Sequence, residues 1–497
     1  MSLHILAIDQ GTTGSTALVM DLHGRTLGRA NREFTQHFPS PGWVEHEPDE
    51  IWQSVLGAVT EALSAAAVAG DQIGAIGITN QRETVVVWEK ASGRPIHRAI
   101  VWQDRRTAER CAALKQGGHE ARVRATTGLV LDPYFSGTKV EWVLDNVAGA
   151  RVRAEQGALS FGTIDSFLVQ RLAGGAEAPH VIEVSNASRT LLMDLEKRCW
   201  DPGMCDLLHV PAAMLPKIVP SAGLIARTRG LPCLPDGIVI AGMAGDQQAA
   251  LFGQACFGHG EAKCTYGTGA FVLVNAGARP AASHSGLLST MGWQIGDELV
   301  YALEGSSFIA GAAVQWLRDG LGLIASAREV ETLARSVESS EGVSFVPALS
   351  GLGAPHWDPG ARGLICGLTR GTTKAHLARA TLEGIALSVN DLLGAMADDL
   401  GRPLGRMRVD GGAAANDLLM QFQSDVGKLV IERPSELEST ARGAAMLAGL
   451  GAGLFRDRSE ASQMISVDRA FQPNMAEAER AGRLTQWRDA VRRARSS

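Results

Sequence analysis

The chain opens with short apolar runs separated by glycine- and threonine-rich turns. His4–Asp9 (HILAID) is apolar and bounded by Gln-Gly, which predicts a buried strand. Ser15–Asp21 (STALVMD) predicts a second strand, and His23-Gly24 a turn into a third. Pro48, followed by Asp49 and Glu50, opens a helix predicted to reach Ala67, because proline and acids suit a helix N-terminus. Ile73–Thr79 and Thr84–Glu89 return to the strand pattern, with Ser92–Pro95 as the next turn.

The second half repeats this order. Ala262–Gly277 reads as strand, Gly/Thr turn and strand, and Gly296-Asp297 marks a hairpin between two apolar runs. A helix is predicted from Ser307 to Asp319, and Arg406–Val426 reads as strand, double-glycine turn and helix. Such self-similarity predicts two related α/β domains, residues 1–253 and 254–497, with a cleft between them.

Composition narrows the function classes. The 497 residues are 45% hydrophobic and 20% charged with a net charge of −6, so neither disorder nor an electrostatic attraction to nucleic acid is expected. The 7 cysteines are scattered and never form CxxC, which argues for reduced thiols rather than a disulfide framework or a zinc knuckle. No basic leader and no membrane-length apolar run is evident, so a cytoplasmic protein without membrane insertion is expected. The arginine-rich stretch Glu477–Ser497 is read as a solvated terminal helix whose cations favour its C-terminal dipole.

Three turns have the chemistry to hold phosphate. Asp9–Thr16 (DQGTTGST) follows a strand, and its glycines allow close backbone approach while its hydroxyls and N–H groups suit phosphate oxygens. Asp9 is an oxygen ligand of the kind Mg²⁺ accepts. Tyr266–Phe271 (YGTGAF) holds the matching place in the second half, so the two turns could grip a polyphosphate from both sides. Asp410–Asn416 (DGGAAAN) could seat a nucleotide, or be a tight strand-to-helix turn with Asn416 in the first helical turn. Neither a Rossmann nor a P-loop fingerprint is intact.

Asp246, after Gly245 and before an apolar helix, is placed like an N-cap, and is also a candidate general base that the helix would keep ionised. Arg82 and Glu83 in NQRET could serve adjacent hydroxyls of a small polyol, donor beside acceptor, or form a surface ion pair. A shared pocket requires that the strand has ended before them. Tyr134, in a turn-rich loop, and Trp102, at the end of RAIVW, are core or rim aromatics on local grounds.

Taken in order, DQGTTGST, NQRET, WQDRRT, DPYFSGTKVEW, GTIDSFLVQRL, SNASRTLLMD, AGDQQAALFGQ, YGTGAF, GLGAPHWDP and DGGAAAND closely resemble the bacterial glycerol kinases. These are carbohydrate kinases with the actin-like ATPase fold, two ribonuclease-H-like domains around a cleft. The likeness covers Ile5 to Gly451. It implies an ATP-dependent transferase of glycerol metabolism, making sn-glycerol 3-phosphate with ATP/ADP and Mg²⁺, commonly as a homodimer or homotetramer. It also implies roles for particular residues. Arg82, Glu83, Tyr134, Asp246 and Gln247 would hold glycerol hydroxyls, with Trp102 and Phe271 against its carbon edge and Asp246 as base. Asp9 would help place Mg²⁺ together with Asp246. Thr12, Thr13, Gly14 and Thr268 would contact phosphates, while Gly311, Gln315, Gly412 and Asn416 would line the rest of the nucleotide site.

Two departures carry expectations. The family often has an arginine just past the first turn, where this chain has Thr16, so one phosphate contact is expected to be missing or supplied elsewhere. Some members bind fructose 1,6-bisphosphate through a glycine-rich basic loop, whereas Ala226–Gly237 here (ARTRGLPCLPDG) lacks that pattern.

Overall fold

In the computed structural model, which describes residues 3–436 and 438–496, the apolar runs assemble into one sheet of 13 strands. In the first half, His4–Gln10 pairs antiparallel with Gly14–Met20, which pairs antiparallel with Thr26–Glu33. His4–Gln10 also pairs parallel with Ile73–Asn80, and that strand with Val239–Gly245. The second half repeats the plan. Ala262–Tyr266 pairs antiparallel with Ala270–Gly277, which is followed by Glu298–Ser307. On its other side Ala262–Tyr266 pairs parallel with Arg406–Asp410, then Val430–Pro434. Both halves are therefore ribonuclease-H-like, as expected. Their sheets join through one parallel bridge, Ala222 with Ile295.

Two helices run between the halves. Asp246–Gly253 leaves the last parallel strand of the first half, and Ser439–Gly451 packs on the strands Ile73–Asn80, Val239–Gly245 and His4–Gln10. The helices touch backbone to backbone: a Cβ on Gly443 would sit 1.8 Å from the Ala249 carbonyl oxygen, and one on Gly253 2.0 Å from that of Ser439. No L side chain fits there without separating the elements. Gly443→Ala is therefore expected to lower stability by about 1–3 kcal/mol, the range for an overpacked core. An unchanged midpoint in urea unfolding would show that the crossing tolerates a methyl group.

Three expectations are corrected. Thr84 and Val85 lie outside the strand Val86–Glu89, which pairs with Leu159–Gly162 apart from the main sheet. The left-handed backbone of Glu83 (φ 58°) turns the chain just before it. Ser307 stays in the sheet opposite Ala270, so the helix expected from Ser307 begins at Gly311, ends at Gln315 and passes into a π-helical turn, Trp316–Gly320. The terminal helix Glu477–Ala494 is docked as well as solvated: buried Trp487 donates to Asp391 (2.9 Å) and Arg483 pairs with Glu383 (3.1 Å). Arg492 and Arg493 stay exposed in its last turn, while Ser497 lies outside the described residues. Among the described residues no helix is long and apolar enough to cross a membrane.

Candidate active site

The two predicted turns hold matching places between paired strands in the two halves, each closed by its own backbone hydrogen bond. Gly11 N–H donates to the Gly14 carbonyl (2.9 Å), and Gly267 N–H to that of Gly269 (2.9 Å). Gly14 is pressed against the neighbouring strand, where a Cβ would lie 2.8 Å from the Arg32 carbonyl oxygen. Trp102 Nε1 donates to Thr12 Oγ1 (3.0 Å), fixing the first turn from the side. Around the second turn, Gly311 N–H donates to Gly267 O (2.9 Å), and Gly411 (φ 84°) backs onto Tyr266. Thr268, Gly311 and Gly412 thus gather at one end of the second half. Asn416 stands just before the helix Asp417–Gly427 as its N-cap rather than in its first turn, Oδ1 accepting from Leu419 N–H (2.9 Å). Gln315, one helical turn from Gly311, is exposed.

Between the halves lies a cavity of about 1080 Å³, lined by Thr12, Arg82, Glu83, Trp102, Tyr134, Asp246, Gln247, Thr268 and Phe271 among others. Asp9, Thr13, Gly14, Gly311, Gln315, Gly412 and Asn416 are outside that lining. The strand Ile73–Asn80 ends two residues before Arg82, and the left-handed turn at Glu83 brings both side chains to one place. The surface ion pair is excluded, since both side chains are buried.

Arg82 is held on several sides. Its terminal nitrogens grip Glu304 with two bonds (2.5 and 3.0 Å) and also reach Gln248 Oε1 and Tyr134 Oη (both 3.3 Å). Its Nε lies 3.1 Å from Asp246 Oδ1. Arg189, buried against Tyr134 and Phe135, bonds Glu83 (2.5 Å) and Glu304 (3.1 Å). Burial pushes the Glu304 carboxyl up, but Arg189 and Arg82 outweigh it and hold it at about 2. Glu83 is raised by burial, with the same two arginines opposing.

Asp246 is the first residue of its helix rather than the N-cap, which is Gly245. Its Oδ1 accepts from the adjacent Gln247 N–H (2.7 Å). Desolvation in the cleft pushes its carboxyl up, against Arg82, so the helix does not hold it down as expected. That direction favours a base, because a carboxylate closer to neutral pH takes a proton more readily.

Glu304, Arg189 and Lys263 were not singled out from the sequence. The signal available was a lone charge inside an apolar stretch: Glu304 in VYALEG, Lys263 in AKCTY, and Arg189 beside TLLMD. Lys263 is buried; its Nζ donates to Gln247 Oε1 and to Thr265 Oγ1 (3.0 Å).

Asp9 is the last residue but one of its strand, and its carboxyl is raised to about 8 by burial, then by Asp246 and Glu438, with Arg29 opposing. Two mutually repelling carboxylates suit a dication. Among the described residues no group of three or more His, Cys, Asp or Glu forms a closed cage. This donor set fits Mg²⁺, which binds through one or two carboxylates plus phosphates and water. Thr16 accepts from Asn31 Nδ2 (2.8 Å), and the nearby cation Arg29 pairs with Glu438 (2.9 Å).

The N-terminal domain of the FGGY family of carbohydrate kinases matches residues 4–253, and its C-terminal domain residues 262–452. The chain belongs to the FGGY carbohydrate kinases. This FGGY kinase is 56% identical over 493 residues to a glycerol kinase of Myxococcus xanthus, covering 99% of both chains. It is 54% identical over 490 residues to a glycerol kinase of Alkalilimnicola ehrlichii, covering 99% of this chain and 98% of the other. Among solved structures, Plasmodium falciparum glycerol kinase with ADP superposes with a TM-score of 0.94 at 35% identity, covering 99% of this chain and 98% of the other. Lactobacillus acidophilus gluconate kinase (TM-score 0.87, 21% identity, covering 99% and 97%) shares the fold alone.

Proposed function

We propose that this FGGY kinase transfers the γ-phosphoryl group of ATP to glycerol, yielding sn-glycerol 3-phosphate and ADP. The observation that carries the reading is a carboxylate base, a buried arginine–glutamate pair and two phosphate-type turns around one cleft. Glycerol lies against Trp102 and Phe271, its hydroxyls shared among Arg82, Glu83, Tyr134, Asp246 and Gln247. Asp246 takes the proton of the attacking hydroxyl as its oxygen bonds to phosphorus and the bond to ADP breaks. Thr12, Thr13, Gly14 and Thr268 direct donors at the phosphates, and Gly311, Gln315, Gly412 and Asn416 line the nucleotide side. Asp9 and Asp246 would hold Mg²⁺, which would supply neutralisation of phosphate charge. Catalysis of this kind rests on positioning and charge, with water kept from the transferable group.

The chain divides at Gly253 into a polyol half, residues 1–253, and a nucleotide half, residues 254–497. A cytoplasmic homodimer or homotetramer completes the proposal, to be checked by light scattering of the purified protein. Its main test is coupled ADP release with Mg·ATP, comparing glycerol, xylulose, gluconate, erythritol and no acceptor. Turnover with glycerol alone is expected. Turnover with another acceptor would discard the polyol pocket, and release indifferent to acceptor would replace the kinase with a shape-switching ATPase.

The stretch expected to lack a sugar-bisphosphate site closes on itself, Thr228 Oγ1 donating to Pro235 O and Gly230 N–H to Asp236 Oδ1 (both 2.7 Å). Fructose 1,6-bisphosphate is therefore expected to inhibit weakly or not at all. Strong inhibition of the pure enzyme at metabolite concentrations would overturn this.

A further inference from the structure

A pocket built only by the first half would need nothing from the strand Glu298–Ser307, yet the strongest contact of Arg82 comes from there. Glu304 is 3% exposed and lines the cavity. It receives both terminal nitrogens of Arg82 (2.5 and 3.0 Å) and the second arginine, Arg189 (3.1 Å). Arg189 in turn bonds Glu83 (2.5 Å) and lies against the rings of Tyr134 and Phe135. One carboxylate of the second half thus organises Arg82 directly, and Glu83 through Arg189. A forked arginine–carboxylate pair fixes the plane of the guanidinium as well as its position. Without it, the buried cations Arg82 and Arg189 would lose the carboxylate they share, leaving Glu83 between them.

We infer that Glu304 is a positioning residue for the polyol: by forking Arg82 and anchoring Arg189, it makes the glycerol-binding geometry of the first half depend on a side chain of the second. The inference rests on the glycerol reading above. It has a consequence that a purely structural ion pair would lack. Bringing Glu304 to Arg82 assembles the polyol contacts, so nucleotide binding that favours closed halves also favours glycerol, and glycerol returns the same factor. Arg189 is the second-half anchor's other partner and shares its effect.

The test uses the full chain and measures KM for glycerol and for ATP, kcat and thermal unfolding in wild type, Glu304→Gln and Glu304→Asp. Wild-type turnover with glycerol is recorded first, and its absence would defeat the functional reading rather than this one. In Glu304→Gln the fork loses its charge, and the glycerol KM is expected to rise about 10- to 100-fold, the range for a hydrogen bond to a charged group. The ATP KM is expected to rise less than the glycerol KM, by no more than the factor of coupling that is lost. Glu304→Asp keeps the charge but shortens the reach. It is expected to fall between the two, and it carries the test if the glutamine variant does not fold. A folded variant with a wild-type glycerol KM would overturn the inference, as would equal rises for glycerol and ATP, which mark general loosening. Calorimetric titration of glycerol with and without ADP reads the coupling: ADP is expected to tighten glycerol binding in wild type and less in Glu304→Gln. Equal coupling in both would overturn the dependence on the second half.

Discussion

Asp246→Asn is expected to lower kcat by about 10²- to 10⁴-fold, the contribution of a positioned general base, while glycerol still binds nearly as in wild type. The amide keeps the size of the carboxylate and can still accept from Gln247 N–H, so the start of the helix is undisturbed. What disappears is the basicity, and with it the destination for the hydroxyl proton, together with one of the two carboxylates proposed to hold Mg²⁺. Arg82 loses its neighbour at 3.1 Å but keeps both bonds to Glu304, so the pocket retains its shape. Coupled ADP release gives the turnover, and calorimetry gives the glycerol affinity. A variant with near-normal turnover removes Asp246 as the base.

Arg82→Ala has two large effects from one cause. The glycerol KM is expected to rise about 100-fold as the central donor of the pocket is lost. Stability is expected to fall by about 3 kcal/mol, the lower end for breaking a buried ion pair, since Glu304 retains Arg189 as a partial partner. Lysine is not a substitute, because a single ammonium cannot fork both oxygens of Glu304 while also reaching Tyr134 and Gln248. Both quantities are read on the same preparation, KM by ADP release and stability by urea unfolding. An unchanged glycerol KM would remove Arg82 from the pocket.

The repeated strand–turn–strand pattern was legible because each strand is a short apolar run stopped by glycines, a local signal in both halves. The same is true of the helix beginning at Pro48, expected to reach Ala67 and observed as Pro48–Ala66. Where the reading failed, contacts distant in sequence decide. Ser307 is strand because it pairs with Ala270, and nothing within its own segment reports that. Asp246 stands one residue inside its helix because Gly245 ends a parallel strand in extended backbone and caps the helix itself. Its ionisation is set by the walls of the cleft more than by the helix.

At the site, residues in punctuated motifs were legible, and the nine named above do line one cavity. Glu304 and Lys263 were missed because a single charge in a strand also fits an exposed position, and Arg189 because it follows the polar run Ser185–Ser188. Only the packing shows that these charges point inward and neutralise one another. The left-handed backbone at Glu83 was equally silent, as glutamate carries no propensity for it, yet it is what turns Glu83 toward Arg189.

The helix Ser439–Gly451, which covers the apolar face formed by Ile5, Ala7, Ala75 and Ala241, has a consequence for biosynthesis. The last parallel strand it covers ends at Gly245, roughly 200 residues upstream, so at about 5–20 residues per second the finished sheet waits on the order of 10–40 s for its lid to leave the ribosome. During that interval a greasy, unroofed surface is presented to the cell, and a nascent chain stalled before residue 439 is the species most in need of a chaperone.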